Sequence, residues 1–275
     1  ELIRAVDEAF RTDEILFYPG ISYRHCMIWH QGPVGLNLTP PHDISDRKIT
    51  EYLPQNPVIL DLMKRSYEIL KDHPINQDRI ARGLNPANSI WLWGEGTRPG
   101  VTGFEAAYGV KASVISAVDL IKGIGLCAGM KVIEVEGATG NIDTNFKGKG
   151  EAALKTLLDG QDLVYIHVEA PDECGHHGDL EGKIQAIERI DQDIVGPLLK
   201  GLEEAGEDYS ILVMPDHPTP ISIKTHISDP IPYLLYCSTD VTDSGIDTYT
   251  EKTGKSTGVY VEPGYLLMQQ LLKNK

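Results

Sequence analysis

From residue 113 to residue 272 the chain alternates short apolar runs with stretches of helical period, and that alternation confines it to one fold class. Leu163-Val164-Tyr165-Ile166 and Ile211-Leu212-Val213-Met214 are continuous apolar runs, the pattern of strands buried on both faces. Further strands are predicted over 131–135 and 233–236. Helices are predicted from Val114, Ile115, Val118 and Ile121 up to Gly129, over 151–158, over 183–204, and over 265–272. The long third helix would turn Ile184, Ile187, Ile194, Val195, Leu198 and Leu202 inward. Strands that alternate with helices need crossover connections, which build a parallel sheet covered on both faces. Such α/β sheets bind ligands outside the carboxyl ends of their strands.

The amino-terminal part reads differently. Leu2, Ile3, Val6 and Phe10 have helical spacing, and 15–18 and 20–29 read as strands, the second carrying Arg24 and His25. Thr39-Pro40-Pro41-His42-Asp43 is a loop, because two prolines remove two donors. Its His-Asp pair is either a turn device or a ligand clamp. Residues 57–72 carry a core-facing helical stripe, and 73–88 read as a connection. Residues 89–93 read as a strand leading into the glycine-rich loop Gly94-Glu95-Gly96, which is weak evidence for a phosphate loop without a following lysine.

Composition narrows the partners. The chain has 25 basic and 40 acidic residues, a formal charge of −15, which disfavours nucleic acid and anionic membranes. No apolar run is long enough to span a bilayer. Cys26, Cys127, Cys174 and Cys237 are scattered without a CxxC pair, which favours a reduced, cytoplasmic setting over a disulfide-stapled one. The oligomeric state is left open.

Two strand ends concentrate the chemistry. The run ending at Ile166 is followed by VEAPDECGHHGD, where Asp172 and His176 share one face if the chain turns helical. The run ending at Met214 is followed by Pro215-Asp216-His217, with His226 nine residues on. Carboxylate and imidazole together select Zn, Mn, Fe or Co over Ca. The plain alternative is a helix cap at Asp172 and surface turn contacts at Asp216 and His217. His177 would point elsewhere on the helical turn, and Cys174 reads as a small apolar filler.

APDECGHHGD, VMPDHPTP and THISDPIP resemble the metal-site segments of the alkaline phosphatase superfamily, specifically of cofactor-independent phosphoglycerate mutases of the archaeal type. GISYRH, LTPPHDIS, VKASVISAVDLIKGIG and VEGATGNIDTN resemble the same family in the same order. The resemblance implies an alkaline-phosphatase-like three-layer α/β core with a mostly parallel sheet, incomplete at its amino-terminal side, and a small α+β lid. The expected division is a substrate-capping lid over residues 1–87 and the carboxyl-terminal part of the metal-binding core over 88–275.

It also implies two divalent ions, manganese first and zinc, cobalt or magnesium as alternatives. Asp172, His176 and His226 would hold one of them. Asp216 and His217 would share the other with an Asp and a nucleophilic Ser from a segment expected before Glu1, since Ser22 and Ser45 lack a strand-to-helix setting. The implied activity is the glycolytic interconversion of 3- and 2-phosphoglycerate through a phosphoserine, on a small anionic phosphorylated substrate. Asp43 would move the hydroxyl proton, and Arg24, His25, His42, Arg98 and Lys111 would contact substrate. A phosphatase or another phosphotransferase of the superfamily, or a silent metal-binding module, are the alternatives.

Overall fold

In the computed structural model, which describes residues 1–20, 23–44 and 47–273 but not the side chains of His42 and Asp43, the chain divides into two units, Glu1–Pro99 and Gly100–Lys275.

In the first unit, helix α1 (Leu2–Phe10) buries Ile3, Val6 and Phe10, the face its spacing dictates. A hairpin follows, β1 (Ile15–Pro19) pairing antiparallel with β2 (His25–Trp29) from Ile15 opposite Trp29 to Pro19 opposite His25. Helix α2 (Pro57–Leu70) begins where Asn56 accepts from the Val58 and Ile59 amides with Pro57 in the first turn, the favoured chemistry for a helix start. Phe17, Leu62 and Leu70 close a core with the α1 residues.

Two expectations fail in this unit. Residues 73–88 are not only a connection: α3 (Pro74–Ala81) forms, capped by the His73 side chain on the Ile75 amide. Its buried residue is polar, so no apolar stripe announced it. Asn76 donates to the carbonyls of Leu70 and Ala87 and accepts from the Ala87 amide. Nor are residues 89–93 a strand. Ile90 and Leu92 pack on the core as expected of an apolar segment, but the Ile90 amide goes to the Ser66 hydroxyl rather than to a ladder.

The second unit opens with α4 (Phe104–Tyr108). It is built on β3 (Ala112–Ile115), which is buried along its whole length. The helix expected to start at Val114 is therefore a strand, and α5 (Asp119–Cys127) begins after it. Val114, Ile115, Val118 and Ile121 fit either period when the segment is buried on both faces. Strands β4 (Lys131–Val132) and β5 (Leu163–Ile166) flank β3, both parallel to it. Val114 meets α5 at Gly125, where a β-carbon would come within 2.6 Å of the valine. Ile115 points the other way, into a cluster with Ala153 of α6 (Phe146–Leu158) and with Leu198 and Leu202 of α9 (Gly196–Ala205). Alternation along one strand thus makes three layers.

Helix α7 (Ala170–His177) follows β5, and α8 (Leu180–Ile190) follows α7. The expected 183–204 helix is α8 and α9 joined by a π turn over Asp191–Val195. Pro197 explains the turn: it has no amide to donate and its ring crowds the carbonyl four residues back, so the ladder widens there. Ile194, Leu198 and Leu202 are buried, but Ile184 and Ile187 are exposed, contrary to expectation. Strand β6 (Ser210–Val213) pairs antiparallel with β7 (Leu234–Cys237) as a separate sheet. A cavity of about 910 Å³ runs between β5 and β6 and reaches Asp172, Asp216 and His217. Two short helices, α10 (Glu251–Ser256) and α11 (Leu267–Leu271), complete the unit. None of the four cysteines is in a disulfide, and no described helix is long and apolar enough to cross a membrane.

Candidate metal centre

Pro171 sits in the first turn of α7, where its missing amide proton removes nothing the helix needs. One turn of helix then sets Asp172 above His176, and His176 Nε2 lies 3.3 Å from Asp172 Oδ2. The loop after β6 brings His226 to the same carboxylate, with Nε2 3.3 Å from Asp172 Oδ1. The triangle closes between the imidazoles, Nε2 to Nε2, at 3.0 Å.

That triangle has the dimensions of a cation's ligand set. An ion held at about 2.0–2.1 Å spaces neighbouring ligand atoms about 2.8–3.4 Å apart, the low end for octahedral and the high end for tetrahedral geometry. The donors are one carboxylate and two imidazoles, a set suited to a divalent transition metal.

Protonation states follow from the outer partners. His176 Nδ1 lies 3.0 Å from the Lys224 carbonyl, an oxygen that can only accept, so Nδ1 carries the proton and the Nε2 lone pair is left for a ligand. Lys224 offers that carbonyl from a left-handed backbone, φ +56°.

Asp216 and His217 stand beside the triangle. His217 Nε2 lies 3.3 Å from Asp216 Oδ2, and its ring stacks on His226 with centroids 3.8 Å apart. Asp172, His217 and His226 each offer a ligand atom within 4.8 Å of the others. All five residues expected as ligands are thus brought together at the ends of β5 and β6.

Thr219, which the sequence reading passed over, ties the two motifs. It is buried, donates its hydroxyl proton to Asp172 Oδ1, and lies 3.3 Å from His217 Nδ1. A hydroxyl has one proton to give, so His217 Nδ1–H is the donor in the second contact and its Nε2 is free to ligate. Gly175 lets α7 approach this close, since a β-carbon there would stand 2.7 Å from the Thr219 carbonyl oxygen.

Lys149 is wholly buried, with Nζ 3.2 Å from the His167 carbonyl. Burial pushes its ammonium down to about 8, against the opposing charge of Glu169. His177 is exposed and Cys174 buried, and burial raises the Cys174 thiol.

The residues expected to touch substrate are placed apart from this cluster or in the other unit. Lys111 is exposed just before β3, at its amino end, about 16 Å along the strand from Ser116 at the ligand end. Arg24 and His25 lie at the start of β2, with the Arg24 guanidinium over the Tyr23 ring at 5.3 Å. Arg98 is exposed near the end of the first unit. Pro41–Ile44 forms a 3₁₀ turn; the side chains of His42 and Asp43, like Ser22 and Ser45, lie outside the described residues.

Two family models match the chain. The one described as the metalloenzyme superfamily covers residues 50–260, and the one described as 2,3-bisphosphoglycerate-independent phosphoglycerate mutase covers residues 1–76. A 2,3-bisphosphoglycerate-independent phosphoglycerate mutase of Methanosarcina barkeri is 48% identical over 100% of this chain and 70% of its own length. The enzyme of that name from Methanosarcina acetivorans is 45% identical over 99% and 69%. Among solved structures, a Pyrococcus horikoshii protein superposes with a TM-score of 0.70 at 25% identity, over 100% of this chain and 68% of that one. The ligand cluster at the strand ends and these matches lead to one statement: the chain belongs to the 2,3-bisphosphoglycerate-independent phosphoglycerate mutases of the metalloenzyme superfamily.

Proposed function

We propose that the cluster at the ends of β5 and β6 serves the interconversion of 3-phosphoglycerate and 2-phosphoglycerate. The observation that carries this reading is the triangle of Asp172, His176 and His226 at 3.0–3.3 Å, with Asp216 and His217 against it. Divalent ions bound there, manganese foremost, would draw charge from the attacking and leaving oxygens of a phosphoryl transfer.

The chain's own residues bind ions, orient ligands and contact substrate, while the phosphoserine step needs the nucleophilic Ser implied by the family resemblance. Asp172, His176 and His226 form one ligand set, and Asp216 with His217 contributes to a second. Lys224 and Thr219 hold the imidazoles in the tautomer that leaves Nε2 free. Arg24 suits the bidentate grip of a carboxylate or phosphate, which a guanidinium fork matches. Asp43 moves the hydroxyl proton, and His25, His42 and Arg98 supply further polar contact to an anionic ligand. Lys111, at the amino end of β3, is left out of the site.

Production of 2-phosphoglycerate from 3-phosphoglycerate by protein that also carries the expected nucleophilic Ser, followed with and without manganese, tests the reading. Turnover is expected to require the ion, to need no 2,3-bisphosphoglycerate, and to disappear in His176→Ala. Arg24→Ala should raise KM and leave ion affinity unchanged. Turnover that survives chelation, or that survives His176→Ala, contradicts the assignment.

A further inference from the structure

His167 is the first residue after β5, and Ser116 is the first after β3. The two are neighbours on the carboxyl edge of the parallel sheet, where the ligand cluster also lies. His167 is held at three points. Its amide donates to the Ile115 carbonyl at 2.8 Å, its carbonyl accepts from Lys149 Nζ at 3.2 Å, and its Nδ1 lies 3.1 Å from Ser116 Oγ. Only Nε2 is left without a described partner.

The Ser116 hydroxyl decides which ring nitrogen bears the proton. Ser116 is buried, and its oxygen already accepts from the Val118 amide at 2.9 Å. A buried hydroxyl that fails to donate forfeits a hydrogen bond it would have made to water. Among the described contacts the acceptor within its reach is His167 Nδ1. The serine therefore donates, Nδ1 accepts, and the proton of the neutral ring sits on Nε2. This is the reverse of His176 and His217, whose outer partners free Nε2 as a lone pair.

The surroundings agree. Burial holds the His167 imidazole below its usual range and so keeps it neutral, against the opposing charge of Asp216. Its nitrogens are not in the tight ligand group of Asp172, His217 and His226.

We propose that His167 is a hydrogen-bond donor of the site and not a metal ligand, offering a fixed Nε2–H to an oxygen of the bound phosphoryl group. A neutral donor stabilises anionic oxygen without adding a proton that could be lost to it. Ser116 is then a positioning residue that sets the tautomer. The proposal rests on the reading of the cluster as a phosphoryl site.

The test uses the full chain, labelled with nitrogen-15 at histidine and loaded with Zn²⁺ as a diamagnetic ion. Long-range nitrogen–proton spectra should show His167 protonated at Nε2 before and after zinc, and a shift of that nitrogen when inorganic phosphate is added. In Ser116→Ala the ring should become a mixture of tautomers. Phosphate affinity should fall about 10-fold or more in His167→Ala. It should recover in His167→Gln, whose amide can donate from the Nε2 position, and ion affinity should stay within about 2-fold throughout. A proton found on Nδ1, displacement of the Nε2 proton by zinc, or equal phosphate affinity in His167→Ala overturns the proposal. If the zinc-loaded wild type takes up no phosphate, the phosphoryl-site reading itself fails; if it binds phosphate and His167→Ala binds it equally well, that reading stands and only the role of His167 falls.

Discussion

Thr219 gives its hydroxyl proton to Asp172 while it accepts from His217, so one side chain orients a ligand from the helix after β5 and another from the loop after β6. The two ends of the site are coupled through that hydroxyl.

Thr219→Val keeps the shape and removes the hydroxyl. The variant is expected to bind manganese about 10–100-fold more weakly, the usual effect of losing an outer partner. Its far-ultraviolet circular dichroism should be unchanged. Calorimetric titration measures the difference, and equal affinity would reduce Thr219 to a packing residue.

Gly175→Ala tests the closeness of α7 to the segment carrying Thr219. The added methyl would stand 2.7 Å from the Thr219 carbonyl oxygen and 2.9 Å from its Cγ2, so backbone must move. A loss of about 1–3 kcal/mol in urea unfolding is expected, together with weaker manganese binding. A variant as stable as the wild type would show that the approach is looser than described.

Lys149 predicts a pH dependence of stability. Its ammonium titrates near 10.5 when unfolded and at about 8 in the fold. Between those values the unfolded chain binds a proton that the folded chain has released, so stability rises with pH from about 8 to about 10.5. One such group contributes a slope of at most about 1.4 kcal/mol per pH unit. Below pH 8 the contribution is level. Unfolding midpoints at pH 7.5 and 9.5 should therefore rise more in the wild type than in Lys149→Met, and equal rises would remove Lys149 as the source.

Much of this was legible in the sequence, for reasons specific to each segment. The runs at 163–166 and 211–214 are short and apolar enough to read as strands, and β5 and β6 form there, but they are not buried on both faces as expected: Tyr165 and Met214 are exposed and Ile211, Leu212 and Val213 half-buried. Residues 112–115 misled because a strand buried on both faces has no period of two to display. Helix α3 was hidden because its packing is done by Asn76 and not by an apolar stripe. Thr219 carries no mark beyond lying two residues after His217. Lys149 sits in a helix where a lysine ordinarily reads as solvated, and only the fold brings it under His167. The pairing of Ser116 with His167 spans 51 residues of chain, a relationship that exists only once β3 and β5 lie side by side.

Asp172, His176 and His226 are proposed to hold one ion together. Manganese titration of the chain beside Asp172→Asn and His176→Ala tests this most directly. The wild type should take up the ion, and each variant should lose more than about 100-fold in affinity, beyond the effect of an outer partner, while remaining folded. A wild type that takes up no ion, or variants that bind it as tightly as the wild type, would show that these three residues are not its ligands.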